Sequence, residues 1–206
     1  MRIECVFFDY DGVLTTDRTG SITTCGFISR QTGIALERVS AALAKHNKDL
    51  TLGLTSYTDV WPQVCEDLNV DLPLRLLEEA FDSTPVNVSM FDLAAQLRRE
   101  CRVGIITDNK ADRMRRLTFV QGLDAHFDPI IVSADVGKSK STPALFEHAL
   151  ARVGLVAAHA VFIDNDPRNV EVAALTGINA IHFDDAVNDV SGLAERLYRD
   201  FGLLQG

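Results

Sequence analysis

The chain has little of what staples small folds or anchors proteins in membranes. Its four cysteines, Cys5, Cys25, Cys65 and Cys101, stand far apart, with no CxxC pair and no histidine at metal-ligand spacing. That pattern points to reduced thiols and away from a zinc site or a disulfide framework. No apolar run approaches the roughly 18 to 20 residues of a membrane span. Basic residues are also in short supply: 20 Lys and Arg face 29 Asp and Glu, for a net charge of −9. Phosphate backbones and anionic lipid surfaces repel such a chain, so neither nucleic acid nor membrane is an expected partner. Residues Met1–Asp9 read as a short strand rather than a leader, and a cytoplasmic location is expected. No fixed-period repeat and no low-complexity segment is present.

What is present is a globular composition, 47% apolar and 24% charged over 206 residues, enough for one or two self-sufficient cores. Short β-branched runs recur at Ile3–Phe8, Val103–Ile106, Pro129–Val132, Ala160–Ile163 and Asn179–Phe183. They are apolar at consecutive positions, as in strands covered on both faces. Amphipathic helix patterns follow them, one opened by Thr142-Pro143, another by Asp166-Pro167 and stopped at Gly177, and a last one carrying Leu193, Leu197 and Phe201. Alternating strand and helix predict a doubly wound parallel sheet, a Rossmann-like α/β core. Residues 16–86 break the rhythm with three helix patterns and no strand: Leu36, Val39 and Leu43; Tyr57 to Leu68; Leu76 to Phe81. They are expected to form an all-helical insertion, entered by the flexible polar stretch Thr15–Ser21, on a core made of 1–15 and 87–206. Trp61 and Phe81 fall on its apolar stripes.

Ligands of open parallel sheets bind outside the carboxyl ends of the strands. The residues there are Asp9-Tyr10-Asp11-Gly12, Thr107-Asp108-Asn109, Ser133 with Lys138 and Lys140 beyond it, and Asp164-Asn165-Asp166. Asp9, Asp11 and Asp164 brought to one rim without a counter-ion would repel each other. A hard dication such as Mg²⁺ removes the conflict and leaves positions for a phosphate, which Thr107 and Lys140 can hold. A carboxylate can attack phosphorus directly, and a second carboxyl past a glycine bend can protonate the leaving oxygen. Asp108 is counted with the phosphate-facing group, with helix capping as the alternative for it and for Asn109. Asp166 before Pro167 reads as an ordinary N-cap.

Asp9-Tyr10-Asp11-Gly12-Val13-Leu14 resembles the first motif of the haloacid dehalogenase-like hydrolases. Thr107 resembles their second motif, Lys140 their third, and Val161–Val170 with Asp164-Asn165 their fourth. The motifs come in family order, and the insertion lies where some members carry a helical cap. The resemblance implies Asp9 as nucleophile, Asp11 as general acid and base, Thr107 and Lys140 on phosphate, and Asp9, the Asp11 carbonyl and Asp164 as ligands of Mg²⁺. It implies a phosphatase acting on a small phosphorylated metabolite, such as a sugar phosphate, through an aspartyl-phosphate. Dehalogenases of this superfamily lack an acid at the position of Asp11, which favours phosphate chemistry here. Helical-cap phosphatases often carry two acids where this chain has Asp164 and the amide Asn165. A phosphomutase, or a binding protein that keeps the fold, is the alternative.

Overall fold

The computed structural model describes residues 2–204. The five apolar runs each form a strand: β1 (Cys5–Phe8), β2 (Arg102–Thr107), β3 (Ile130–Val132), β4 (Ala160–Asp164) and β5 (Asn179–His182). Between β1 and β2 come α1 (Ser21–Thr32), α2 (Leu36–Ala44), α3 (Asn47–Thr51), α4 (Tyr57–Leu68), α5 (Leu74–Asp82) and α6 (Val88–Leu97). Helix α7 (Ala111–Gln121) follows β2, and α8 (Ser133–Val136) with α9 (Pro143–Val153) follows β3. Helices α10 (Pro167–Leu175) and α11 (Val190–Phe201) follow β4 and β5. Among the described residues no helix is long and apolar enough to cross a membrane.

Every strand pairing is parallel, in the order β3-β2-β1-β4-β5, with Phe8 of β1 opposite Ile105 of β2 and Ile163 of β4. Successive side chains of a strand point to opposite faces. Val6 and Phe8 therefore join Leu93, Leu117 and Leu197 in one apolar layer, while Cys5 and Phe7 join Leu145, Phe146 and Phe162 in the other. Phe146 and Phe162 meet edge to face with ring centroids 5.1 Å apart. Burial on both faces is why these runs are apolar throughout, and it sets β1 in the middle of the sheet. Burial also pushes the Cys5 thiol up to about 12, leaving it inert at neutral pH.

Helices α1 to α5 share a core of their own, built on Val39, Leu50, Trp61, Val64, Leu77 and Phe81. The Trp61 indole N–H donates to the Leu72 carbonyl at 2.7 Å, and Ser56 with Asp59 forms a reciprocal capping box on α4. Three helices were expected in residues 16–86; five are present. The pattern missed α1 because only Thr24, Cys25 and Ile28 of its polar sequence are buried, and α3 because it spans a single turn. The entry is also more fixed than its polar sequence implies. Asp17 is buried and its carboxylate accepts N–H bonds from Thr19, Gly20 and Thr23 at 2.7–3.1 Å, which satisfies the start of α1. The chain enters and leaves this helical group side by side, with Thr15 bridged to Val86 and the Thr16 N–H donating to the Pro85 carbonyl.

Side chains also tie the helical group to the sheet. Arg116 of α7 pairs with both oxygens of Asp82 at 2.6–2.7 Å, the Tyr57 N–H donates to Asp112 at 2.7 Å, and the Ser133 hydroxyl donates to the Thr51 carbonyl at 2.8 Å.

Candidate active site

The carboxyl ends of β1, β2 and β4 open on a cavity of about 930 Å³ whose wall includes Asp9, Asp11, Thr107, Asp108, Lys140 and Asn165. The chain builds the first part of this wall by breaking off β1. The Asp9 N–H donates to the Ile163 carbonyl at 2.8 Å, the last ladder bond of the strand. Asp9 keeps an extended backbone (ψ 159°), Asp11 stays extended (φ −75°, ψ 130°) and Gly12 turns left-handed (φ +78°). The turn is closed by the Thr15 N–H on the Tyr10 carbonyl at 3.0 Å and by the Gly12 N–H on the Thr15 hydroxyl at 3.2 Å. Asp9 Oδ1 accepts the Tyr10 N–H at 2.7 Å, which fixes the carboxylate and aims Oδ2 at Lys140.

Asp9 and Asp164 meet on one lysine and Asp11 lies on an arginine, so the chain itself supplies the opposing charge. Lys140 Nζ lies 2.8 Å from Asp9 Oδ2 and 2.7 Å from Asp164 Oδ2, with all three side chains buried. Arg113 of α7 grips Asp11 with both terminal nitrogens at 2.8 and 2.9 Å. Repulsion among Asp9, Asp11 and Asp164 therefore does not by itself demand a metal, contrary to the reading of the sequence: a lysine and an arginine already neutralise it. Burial pushes the Asp9 carboxyl up, the Lys140 charge holds it down, and Asp164 and Asp11 add to the upward push.

Asp164 occupies a different place from the one expected of a cavity ligand. It is fully buried, its Oδ1 accepts the Asp166 N–H at 2.7 Å, and its Oδ2 accepts Lys140 Nζ and Asn169 Nδ2 at 2.7 and 3.1 Å. Both oxygens already have protein partners, and it is the following residues, Asn165 and Asp166 among them, that line the cavity. Asp108 lies on the cavity wall beside Thr107, and its Oδ1 accepts the Lys140 backbone N–H at 2.8 Å, which helps to place the lysine. Thr107 ends β2 almost wholly buried, 3.5 Å from Asn109 Nδ2. Lys138, the other candidate of its segment, is exposed. Asp166 caps α10 by accepting the Arg168 N–H at 2.9 Å.

Sequence reasoning missed Arg113 and left Asn109 undecided. Asn109 Nδ2 donates to Asp11 Oδ2 at 2.9 Å, and its Oδ1 accepts from Arg113 at 3.0 Å, so the two residues hold Asp11 jointly. Their spacing of four along the chain, which puts Arg113 on α7 facing back toward the end of β2, was the available signal. Ser133 accepts the Asn109 N–H at 2.9 Å and completes this support.

Among the described residues no three His, Cys, Asp or Glu side chains stand together as a metal cluster. The cavity wall does carry hard oxygen donors, among them the Asp9 carboxylate and the Asn165 amide. A Cβ at Gly12 would overlap the Asn165 amide, so the glycine makes the space in which that amide lies against the Asp9–Asp11 loop. One carboxylate with neutral oxygens suits Mg²⁺, which keeps several waters and binds substrate phosphates alongside few protein ligands. The residues fit that ion. Gly12→Ala meets both a left-handed backbone and this overlap. It should cost about 1–3 kcal/mol of stability, read from urea midpoints; an unchanged midpoint would show that Asn165 is not held against the loop.

Asp9 stands at the end of the central strand of a parallel α/β sheet, with Lys140 2.8 Å away and Thr107 on the same cavity wall, an arrangement in which a carboxylate can act as a nucleophile. The model of the haloacid dehalogenase-like hydrolase family matches residues 3–195, and the chain belongs to that family. A phosphoserine phosphatase from Thermus thermophilus is 32% identical over 93 residues, covering 45% of this chain and 37% of that enzyme. Among solved structures, a predicted HAD-like family hydrolase from Porphyromonas gingivalis superposes with a TM-score of 0.78 at 23% identity, over 97% of this chain and 99% of that one. The HAD family enzyme bt-2542 from Bacteroides thetaiotaomicron, in complex with magnesium and inorganic phosphate, gives 0.72 at 19% identity, over 93% and 98%.

Proposed function

We propose that the protein hydrolyses a small phosphomonoester, such as a sugar phosphate, through a phosphoryl group carried on Asp9, with Mg²⁺ as cofactor. The observation that carries this reading is the Asp9 carboxylate, fixed by the Tyr10 N–H and facing the cavity with Lys140 at 2.8 Å. The hydrolase family of the chain, the phosphoserine phosphatase named above, and the magnesium and phosphate bound by the Bacteroides enzyme all support it.

In this reading Asp9 Oδ2 attacks phosphorus and the ester oxygen leaves as an alcohol, taking a proton from Asp11. Asp11 then accepts a proton from the water that attacks the aspartyl-phosphate, and inorganic phosphate leaves. Thr107 and Lys140 hold the non-bridging oxygens while negative charge builds on them. Asp11 is held by Arg113 and Asn109, two donors on Oδ2 and one on Oδ1, so Oδ1 keeps a free acceptor site for the proton. Mg²⁺ held by Asp9, the Asp11 carbonyl and Asn165 would neutralise phosphate charge. Residues 16–86 serve as a lid over this chemistry, on a core of 1–15 and 87–206, and exclude water from it.

The test is inorganic phosphate released from a broad panel of phosphomonoesters with Mg²⁺ and again with a chelator. Release from some members that stops on chelation is expected. No release from any member in the presence of Mg²⁺ would overturn the reading.

A further inference from the structure

Behind the catalytic cavity lies a second chamber of about 320 Å³, roofed by α1 and α2 of the helical group and floored by the start of α7. Its volume is at the lower end of small-molecule sites, about 300–1,000 Å³. The two spaces are not separate. Thr19, Ser21, Asn47 and Lys110 line both, so they form the throat through which a molecule seated at Asp9 would extend.

Three features of the chamber select a ligand. Its body is aliphatic and aromatic, with Ile22, Cys25, Leu36, Leu43 and Tyr57 in the lining. Ile22 and Leu36 are also exposed, at 62% and 45%, although most large apolar side chains of this helical group are buried. Second, among the described residues no Asp or Glu lines the chamber, in a chain of net charge −9, while two cations do: Lys110 and Arg113. Third, these cations differ in what they have left to give. Arg113 spends its terminal nitrogens on Asp11, Asn109 and Thr84. Lys110 has no carboxylate within ion-pair distance and its ammonium makes no hydrogen bond among the described residues. Burial first, then the charge of Arg113, bring that ammonium down to about 8, with Asp11 and Asp108 pulling the other way; it is still cationic at neutral pH.

We infer that the leaving group of the substrate is a hydroxy acid with an apolar substituent, released as the alcohol: its carboxylate is taken by Lys110 in the throat and its apolar body fills the chamber. This rests on the phosphatase reading and narrows it, because an apolar room with Lys110 at its mouth suits such an acid better than the many hydroxyls of a sugar. Lys110 is then a specificity-determining residue, distinct from Lys140, which faces the reacting phosphate. The hydrolysed bond is the same phosphate ester as before, with water as acceptor.

Three probes separate the contributions. In 3-phenyl-2-phospholactate the carboxylate and the apolar body are both present, 2-phospholactate lacks the body, and 2-phenylethyl phosphate lacks the carboxylate. With Mg²⁺, kcat/KM for the first should exceed each of the others by about tenfold or more, the size of one charge-assisted hydrogen bond or one buried ring. In Lys110→Met the preference for 3-phenyl-2-phospholactate over 2-phenylethyl phosphate should collapse, and Lys110→Arg should restore part of it. Ser40→Phe, which fills the chamber from α2, should instead erase the preference over 2-phospholactate. Calorimetric binding of the three probes to Asp9→Asn protein gives the same ranking without turnover. Turnover or binding with equal efficiency for all three probes would overturn the inference and leave the phosphatase reading standing. The expected binding order without phosphate release from wild-type protein would overturn the phosphatase reading and the leaving-group assignment with it, and leave only the ligand preference of the chamber.

Discussion

Asp9→Asn should reduce phosphate release on the order of 10⁴-fold or more, the scale on which a lost nucleophile acts, with little harm to the fold. The amide keeps the shape of the side chain, and its oxygen can still accept the Tyr10 N–H that fixes Asp9 now. What it cannot do is attack phosphorus or pair with Lys140. That lysine retains Asp164 at 2.7 Å, so it is not stranded. The structural cost is confined to one donor facing another, about 1–2 kcal/mol, which denaturation curves of the two proteins would show. Retained turnover in a well-folded variant would mean that the nucleophile lies elsewhere.

Lys140→Met should have the largest effect on stability. Methionine matches the length and volume of the lysine stem, so the core beside Phe162 is left nearly filled and the loss is electrostatic. Removing the ammonium leaves Asp9 and Asp164 buried and facing each other without a cation, and breaking a buried pair in this way costs about 3–5 kcal/mol. The pH dependence has a definite sign. Burial already raises the Asp9 carboxyl above its ordinary value of 3.8 and Lys140 opposes that rise, so the variant lifts it further. A carboxyl whose value is higher folded than unfolded takes up a proton on folding, so the variant regains stability as the pH falls from neutral toward the unfolded carboxylate range near about 4. Urea midpoints at neutral and mildly acidic pH should show a gap to wild type that narrows with acid. An equal gap at both, or none, would contradict the placement of Lys140.

Much of the sheet was legible because burial on both faces writes the same message at every position. Cys5-Val6-Phe7-Phe8 and Val161-Phe162-Ile163 have no polar residue to confuse it, and their positions fixed which residues stand at the rim. The helical group was less legible where helices bury little: α1 buries only Thr24, Cys25 and Ile28, and the carboxylate that starts it, Asp17, lies outside it. At the site, strand ends placed Asp9, Asp11, Thr107 and Lys140 near one cavity. They could not reveal which side of β4 its last residues would face. One step along the chain sends Asp164 inward to Lys140 and Asn165 to the cavity wall, so the amide and not the acid lies where the proposed Mg²⁺ would be held. Arg113 was hidden for a related reason. A helical arginine is usually a surface residue, and only the turn of α7 back over the β1 loop brings it onto Asp11.

The central claim is that Asp9 takes the phosphoryl group, and peptide mass analysis after acid quenching of a single turnover tests it most directly. Using a substrate found in the release panel, the quenched protein should carry one phosphoryl group on the peptide containing Asp9, and hydroxylamine should remove it as expected of an acyl phosphate. Rapid phosphate release with the label on a different residue, or with no protein-bound phosphoryl group at any time during the turnover, would contradict the account.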